Sequence, residues 1–265
     1  MESDREGNFP YQTQVIDRAF AILDVLAASA RGQSLTQLTH RLGLSKSTCH
    51  RLLKILERYR FAEKDPLTSK FRLGGRVLEL GAQAAAQIDV IQEAIPFLER
   101  LSQETRETAR LGVLTDLEVV SIATADGHHA LRMSPTLGRR SPVYCSSLGK
   151  AILAFLPEEK YRIIMSGCRL RPFTRNTITR RSDLRMELTR IKKRGYAIDQ
   201  EELESGLSCI GAPVWDYSCK VVAAISIAGA AQRFGREQLP ELAQFVMSAA
   251  ADLSRRLGYQ PPGAK

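Results

Sequence analysis

The chain has 265 residues, 44% hydrophobic and 25% charged, with a formal net charge of +9. That length holds two modest domains, and the composition is that of an ordinary globular protein. No apolar run reaches the roughly 20 residues that span a bilayer. The opening "MESDREGNFPYQTQ" has no apolar core of a secretory signal, so a cytoplasmic protein without a membrane partner is expected.

Residues 1–13 are polar and read as a disordered tail. From Gln14 an amphipathic helix is predicted, with Ile16, Phe20, Leu23 and Leu26 on one face, ending near Ala30. In "SLTQ", Ser34 and Gln37 have capping-box spacing, and Leu35, Leu38 and Leu42 then give a short helix its buried side. Gly43 suits a sharp turn, and Ser45 can cap the next helix.

That next helix lies in "LGLSKSTCHRLLKIL". At 100° per residue, Lys46, Ser47, His50, Arg51, Lys54 and Arg58 share an arc of about 140°. Thr48, Cys49, Leu52, Leu53, Ile55 and Leu56 fill the opposite arc. "RFAEKD" and "KFRLG" follow as short extended runs, joined by the turn "DPLTS". Helix, helix, glycine turn, helix and hairpin make a winged helix-turn-helix over residues 14–75. The basic arc is then available to a major groove and the hairpin to the backbone. The candidate DNA contacts are Ser45, Lys46, Ser47, Thr48, His50, Arg51, Lys54, Lys70 and Arg72. Double-stranded DNA is the expected partner, through a near-palindromic operator.

Residues 76–105 read as a helical connector, with Pro96 as its kink or as a new first turn. Over 106–260 strands group with helices alongside, which predicts an α+β fold. "TARLGVL" and "LEVVSIATA" flank Thr115-Asp116 as a hairpin, and "HALRM" is a third strand. "SSLGKAILAFL" is an apolar helix. "SDLRMELTRIKKRG" is a helix capped by Ser182 and closed by Gly195. "LSCIGAPVWD" and "KVVAAISIAG" pair as a further hairpin, and "REQLPELAQFVMSAAADLSRRLG" closes the chain as a helix.

Charge alone does not single out the basic arc. Residues 41–72 hold nine Lys/Arg against three acids, whereas 139–194 hold fifteen against four. The second block is expected to coat exposed helix faces. Five cysteines (Cys49, Cys145, Cys168, Cys209, Cys219) are an odd number without CxxC spacing, which argues against a disulfide framework or a zinc knuckle. Adjacent His128 and His129 point apart on a strand, so no metal or cofactor is assigned. "SSLGKAI" resembles the end of a phosphate loop, but Tyr144 stands where its glycine belongs and Ala151 where its Ser/Thr belongs. The helix start at Ser146 and Ser147 instead suits an anion, or is an ordinary helix cap, which is the reading the residues favour by themselves. An enzyme built on the C-terminal domain is the main alternative. Against it stands the lack of paired carboxylates, a nucleophile triad or a metal cluster at recognisable spacing. A DNA-binding architectural protein with an unliganded dimerisation domain is a further one.

The segments "SLTQLTHRLGLSKSTCHRLLKIL", "FRLGGRVLELG", "SPVYCSSLGKAILAFLP", "RIKKRGYAIDQEELESGLSCIGAPVWD" and "VVAAISIAG", in this order, resemble the IclR family of bacterial transcriptional regulators over about residues 14–258. The resemblance implies a GAF-like α/β effector domain with a central antiparallel sheet behind the winged helix-turn-helix. It implies homodimers through the DNA-binding part, often dimers of dimers, and a small organic acid as effector. It places the effector against Met133, Ser147, Leu148, Asp199, Leu207 and Cys209. The residues by themselves make Cys209 a buried small hydrophobe and Asp199 part of a solvated acidic loop. The chain departs from the family where glycine is common, at Arg60 and in the turn at Ser218-Cys219.

Overall fold

The computed structural model describes residues 14–29, 31–87, 89–130, 132 and 137–261; the expected tail 1–13 and Met133 lie outside the described residues. The chain divides into two compact units between Ile88 and Asp89.

The first unit opens with α1 (Gln14–Ala27), α2 (Leu35–Leu42) and α3 (Lys46–Arg58). The capping box forms: Ser34 Oγ accepts from the Gln37 N–H, and Gln37 Oε1 accepts from the Ser34 N–H at 2.8 Å. Such a cap stabilises a helix by about 1 kcal/mol. Gly43 ends α2 at φ 62°, and the Ser45 hydroxyl caps α3 by accepting from the Thr48 N–H. Strands β1 (Ala62–Lys64) and β2 (Phe71–Leu73) pair antiparallel as the wing. Phe71 also pairs with Gln33, which ties the wing to the α1–α2 connection. The core is Ile22, Leu26, Leu38, Cys49, Leu52, Leu53, Leu56, Ala62 and Phe71. Two expectations of facing are corrected. Ile16 and Phe20 are exposed while Ile22 is buried, so the inward stripe of α1 is turned from the expected one. Ile55 is 46% exposed, because α3 needs only the Cys49, Leu52, Leu53 and Leu56 stripe to close on α1 and α2.

Arg60 follows α3 at φ 63°, a left-handed conformation that lets the Arg60 and Phe61 N–H groups bond the Glu57 and Leu56 carbonyls. Helix α4 (Gly75–Gln87) closes this unit. The expected single connector is therefore two helices. The second, α5 (Val90–Thr105), starts afresh at Asp89, whose carboxylate accepts from the Ile91 and Gln92 N–H groups. Pro96 lies inside α5 and marks no new first turn.

The second unit carries β3 (Thr108–Thr115), β4 (Glu118–Ala125), β5 (Arg140–Pro142), β6 (Ala197–Gln200), β7 (Leu207–Trp215) and β8 (Val221–Ala230). They form one antiparallel sheet in the order β5-β4-β3-β8-β7-β6. Its helices are α6 (Ser147–Phe155), α7 (Glu158–Gly167), α8 (Arg181–Arg194) and α9 (Leu239–Arg256). Alternation sorts the strands into two faces. Leu111, Ile210, Ala212, Val214, Ile225 and Ile227 pack with Leu98 and Leu101 of α5 and with Val246 and Leu253 of α9. The residues between them on β7, β8 and β3 face α6, which packs on α8 in turn.

Several sequence expectations change here. His129, Ala130 and Arg132 of "HALRM" are not in a strand, and Leu131 and Met133 fall outside the described residues; the third strand of this edge is β5 instead. Ser182 is the second residue of α8 and donates to the Asp183 carboxylate; the cap position is Arg180, which makes no side-chain cap. Gly195 does close α8, at φ 87°. The last helix starts at Leu239 rather than at Arg236. Helix α7 and strands β5 and β6 were not expected from the pattern: β5 and β6 are short, and α7 alternates without a clean stripe.

Candidate functional site: nucleic-acid interface and buried polar cluster

The exposed arc of α3 presents Lys46, Ser47, His50, Arg51 and Lys54. Not all are free. Ser45 Oγ donates to Thr48 Oγ1 at 2.8 Å and lies 3.0 Å from Ser47 Oγ, so the three hydroxyls are occupied with the cap. Lys54 pairs with Glu57 at 3.1 Å. On the wing, Arg72 Nε donates to Glu63 at 2.5 Å, and Lys70 is half-buried. Lys46, His50, Arg51 and Arg58 are thus the groups of the arc that make no side-chain hydrogen bond or ion pair among the described residues. The wing tip holds Leu67, 94% exposed, and the Asp65 carboxylate accepts from the Leu67 and Thr68 N–H groups, which holds it below the usual carboxylate range.

In the second unit the α6 side of the sheet is polar. Register places Arg110 of β3 opposite Ser226 of β8, Ser226 opposite Gly211 of β7, and Cys209 opposite Asp199 of β6. All of these are buried except the glycine's absent side chain, whose room is taken by the Ser147 backbone at 3.0 Å from where a Cβ would lie. Arg110 Nη2 donates to Cys209 Sγ at 3.5 Å. Arg110 Nε, Ser147 Oγ and Ser226 Oγ are buried with no hydrogen-bond partner among the described residues. An unsatisfied buried polar group costs about 1–3 kcal/mol, so three on neighbouring positions need a reason.

Asp199 is 2% exposed, not solvated as the acidic stretch suggested. Burial pushes its carboxyl up to about 6, against the pull of the Glu202 N–H at 2.8 Å and of the Lys150 and Arg110 charges. Lys150 of α6 is fully buried; it donates to the Ile198 carbonyl at 2.5 Å and pairs with Glu202. Burial also raises Glu202. Cys209 is pushed up to about 12, chiefly by burial and then by Asp199, so it is a neutral thiol and no nucleophile at neutral pH. Two cations and two carboxyl groups therefore share this interior, and among the described residues only the Lys150–Glu202 pair is in contact.

The expected effector residues divide accordingly. Ser147, Asp199 and Cys209 come together on the cluster. Leu148 is core, packed against Gly112, and Leu207 is half-buried at the start of β7. Ser146 is not available to a ligand: its hydroxyl donates to the Pro142 carbonyl and accepts from the Gly149 N–H. Sequence reasoning missed Arg110, Lys150, Glu202 and Ser226. A lone arginine inside the apolar run "TARLGVL" was the available signal. His129 Nε2 lies 3.7 Å from Glu107, and no group of three potential metal ligands exists among the described residues. No helix among them is long and apolar enough to cross a membrane.

Residues 15–66 match the family described as IclR helix-turn-helix domain, and residues 82–255 match Bacterial transcriptional regulator IclR C-terminal. The chain is 35% identical to the HTH-type transcriptional regulator XynR of Escherichia coli strain K12, over 93% of this chain and 98% of that one. It is 33% identical to the HTH-type transcriptional regulator KdgR of the same strain, over 94% and 95%. Among solved structures, the Agobacterium tumefaciens repressor BlcR superposes with a TM-score of 0.78 at 27% identity, covering 93% of this chain and 98% of that one.

Proposed function

The chain belongs to the IclR family of bacterial transcriptional regulators, and from that premise we propose that its buried polar cluster binds a small organic acid that changes operator affinity. As a member it is a regulator with a DNA-binding helix-turn-helix; its relatives are regulators too, which removes the enzyme alternative.

The observation that carries the effector reading is the set of unpaired buried groups: Arg110 Nε, Ser147 Oγ and Ser226 Oγ. A carboxylate satisfies all three kinds of donor at once, and charge-assisted hydrogen bonds are the stronger ones. Asp199 would repel that carboxylate, so it faces a hydroxyl or keto oxygen of the ligand, as a protonated donor or through water. The apolar Leu148 and Leu207 complete a lining of the usual mixed kind. Met133 is retained in this proposal from the family resemblance.

For DNA, Lys46, His50 and Arg51 are the groups proposed to enter the major groove, with Ser45, Ser47, Thr48 and Lys54 towards the backbone and Lys70 and Arg72 from the wing. The exposed Val15, Ile16 and Phe20 on α1 support self-association, hence a homodimer on a near-palindromic operator and, by the family habit, a dimer of dimers. A regulator of this kind works beside the chromosome, which supports the cytoplasm as its place. Calorimetry against aromatic, keto and sugar acids, followed by operator binding with and without the best of them, tests the reading. Coupling of about 1–3 kcal/mol changes operator affinity roughly 5–150-fold. A bound acid that leaves operator affinity unchanged would refute the switch.

A further inference from the structure

We propose that the C-terminal unit carries its own contact surface for the DNA backbone, built on the arginines of the loop between α7 and α8. The loop 168–180 with the first residue of α8, "CRLRPFTRNTITRR", holds five arginines and no acid. Arg169, Arg171, Arg175 and Arg180 are exposed, and none of the four makes an ion pair among the described residues. Two of the acids nearby in sequence are already shared, and the other two, Glu159 and Asp183, make no ion pair with the loop among the described residues. Glu158 pairs with both Arg162 and Arg185, and Glu187 with both Arg190 and Arg194.

A run of solvated charge needs no fixed backbone, yet this loop is pinned throughout. The Tyr144 hydroxyl donates to the Arg171 carbonyl at 2.8 Å and accepts from the Arg171 N–H at 2.9 Å. Thr177 Oγ1 accepts from the Phe173 and Thr174 N–H groups and donates to the Glu202 carbonyl at 2.6 Å. Thr174 Oγ1 donates to the Glu201 carbonyl at 2.6 Å and Asn176 Nδ2 to the Gln200 carbonyl at 3.2 Å. Arg181 Nη2 reaches the Cys168 carbonyl at 3.1 Å, so the two ends of the loop meet. Ordering like charges on one short loop costs self-repulsion, which a polyanion relieves. DNA is the polyanion this regulator meets, with one charge per about 1.7 Å of duplex. Guanidinium groups suit phosphate by their planar fork of donors. The same threonines hold the loop to the chain segment that carries Glu202 and follows Asp199, so the surface is mounted beside the polar cluster.

The test uses the full-length protein and a mixed-sequence duplex, with affinity measured across a salt titration. Replacing Arg169, Arg171, Arg175 and Arg180 together by serine should lower the slope of log affinity against log salt by about 2–4 units, since each neutralised phosphate contributes about 0.9. The preference for operator over mixed sequence should stay as it is. Lysine at the same four positions should keep the slope. If the serine variant melts early, the double variant Arg175→Ser, Arg180→Ser, away from the Tyr144 contact, is read instead and should lose about half as much. A slope equal to wild type in the serine variants overturns the proposal and leaves the surface to a protein partner or to solvent. Equal losses with serine and lysine overturn it too, because charge is then not the cause.

Discussion

The Arg110 guanidinium on β3 donates through Nη2 to the Cys209 sulfur of β7 at 3.5 Å, reaching over β8 and leaving its Nε without a partner. A thiol is a weak acceptor, so this buried cation is poorly hydrogen-bonded, and the Asp199 carboxyl, whose proton its charge helps to release, is its nearby electrostatic partner. Arg110→Met should therefore stabilise the protein, by about 1–3 kcal/mol in chemical denaturation, because replacing poorly paired buried charge with a hydrophobe removes a desolvation penalty. The same variant should bind the effector acid about 10–150-fold more weakly, the loss of one hydrogen bond to a charged group at about 1.5–3 kcal/mol. Operator affinity without effector should stay at the wild-type level. A variant that is less stable and binds the acid unchanged would place Arg110 in a structural role.

Asp199 gives the cluster a pH dependence whose sign is fixed by its burial. Its folded-state carboxyl titrates near 6, above the ordinary 3.8. The folded state therefore holds a proton that the unfolded chain has released between those values, and stability falls as pH rises through that window. The full penalty above the window is up to about 3 kcal/mol. Asp199→Asn should reduce the slope of the stability profile between about pH 4 and 6 and raise stability at neutral pH, leaving the slope of the same sign that comes from Glu202, pushed up to about 7 by burial. Acid binding should also strengthen as pH falls through about 6, as protonation removes the repulsion. Denaturant midpoints across pH check the first point; a wild-type slope in the asparagine variant would assign the titration to Glu202 instead.

How legible the sequence was depends on how local the determinant is. Ser34 with Gln37, Gly43, Ser45 and Gly195 act within one turn of their own helices, and each stands where the spacing put it. The α1 face was misread because its inward side is chosen by Leu38, Leu53 and Phe71, which lie far off in sequence. Asp199 and Glu202 looked solvated for the same reason. Glu202 pairs with Lys150, some fifty residues earlier, and Asp199 lies opposite Cys209 of β7; no pattern within "DQEELES" carries that information. Arg110 was visible as an arginine in an apolar strand, but only the register beside Ser226 gives it a site.

Arg60 and Cys219 are both non-glycine residues in the left-handed region, and they should not respond alike to glycine. Arg60 has φ 63° and Cys219 φ 57°. A side chain there costs roughly 1–2 kcal/mol, and glycine returns about 0.5–1 of that through unfolded-chain entropy. Cys219→Gly should thus stabilise by about 0.5–1 kcal/mol. Arg60→Gly also loses the exposed Glu79 ion pair at 2.8 Å, worth about 0–1 kcal/mol, so its net change should be near zero. Thermal melts of the two single variants decide it, and a larger gain at Arg60 would show that the ion pair contributes nothing.

The last prediction separates the groups on α3 and the wing that are free from those already neutralised. Arg51 is exposed on the arc of α3, whereas Lys54 is 3.1 Å from Glu57 and Arg72 is 2.5 Å from Glu63. Arg51→Ala should weaken operator binding by about 1–3 kcal/mol and relax the preference at one base pair, as expected for a side chain that reads a base edge. Lys54→Ala should weaken all sequences alike, and by less. Arg72 can neutralise a phosphate only by leaving Glu63, so the carboxylate competes with the DNA. Glu63→Gln frees it, and should raise affinity at low salt and steepen the slope of log affinity against log salt by up to about 0.9, one phosphate's worth. Arg72→Ala should flatten the slope by the same amount or less. Fluorescence anisotropy over a salt series reads all four variants. If Glu63→Gln leaves both affinity and slope at wild-type values while Arg72→Ala does the same, the wing stays off the DNA and the arginine serves only to hold the hairpin closed.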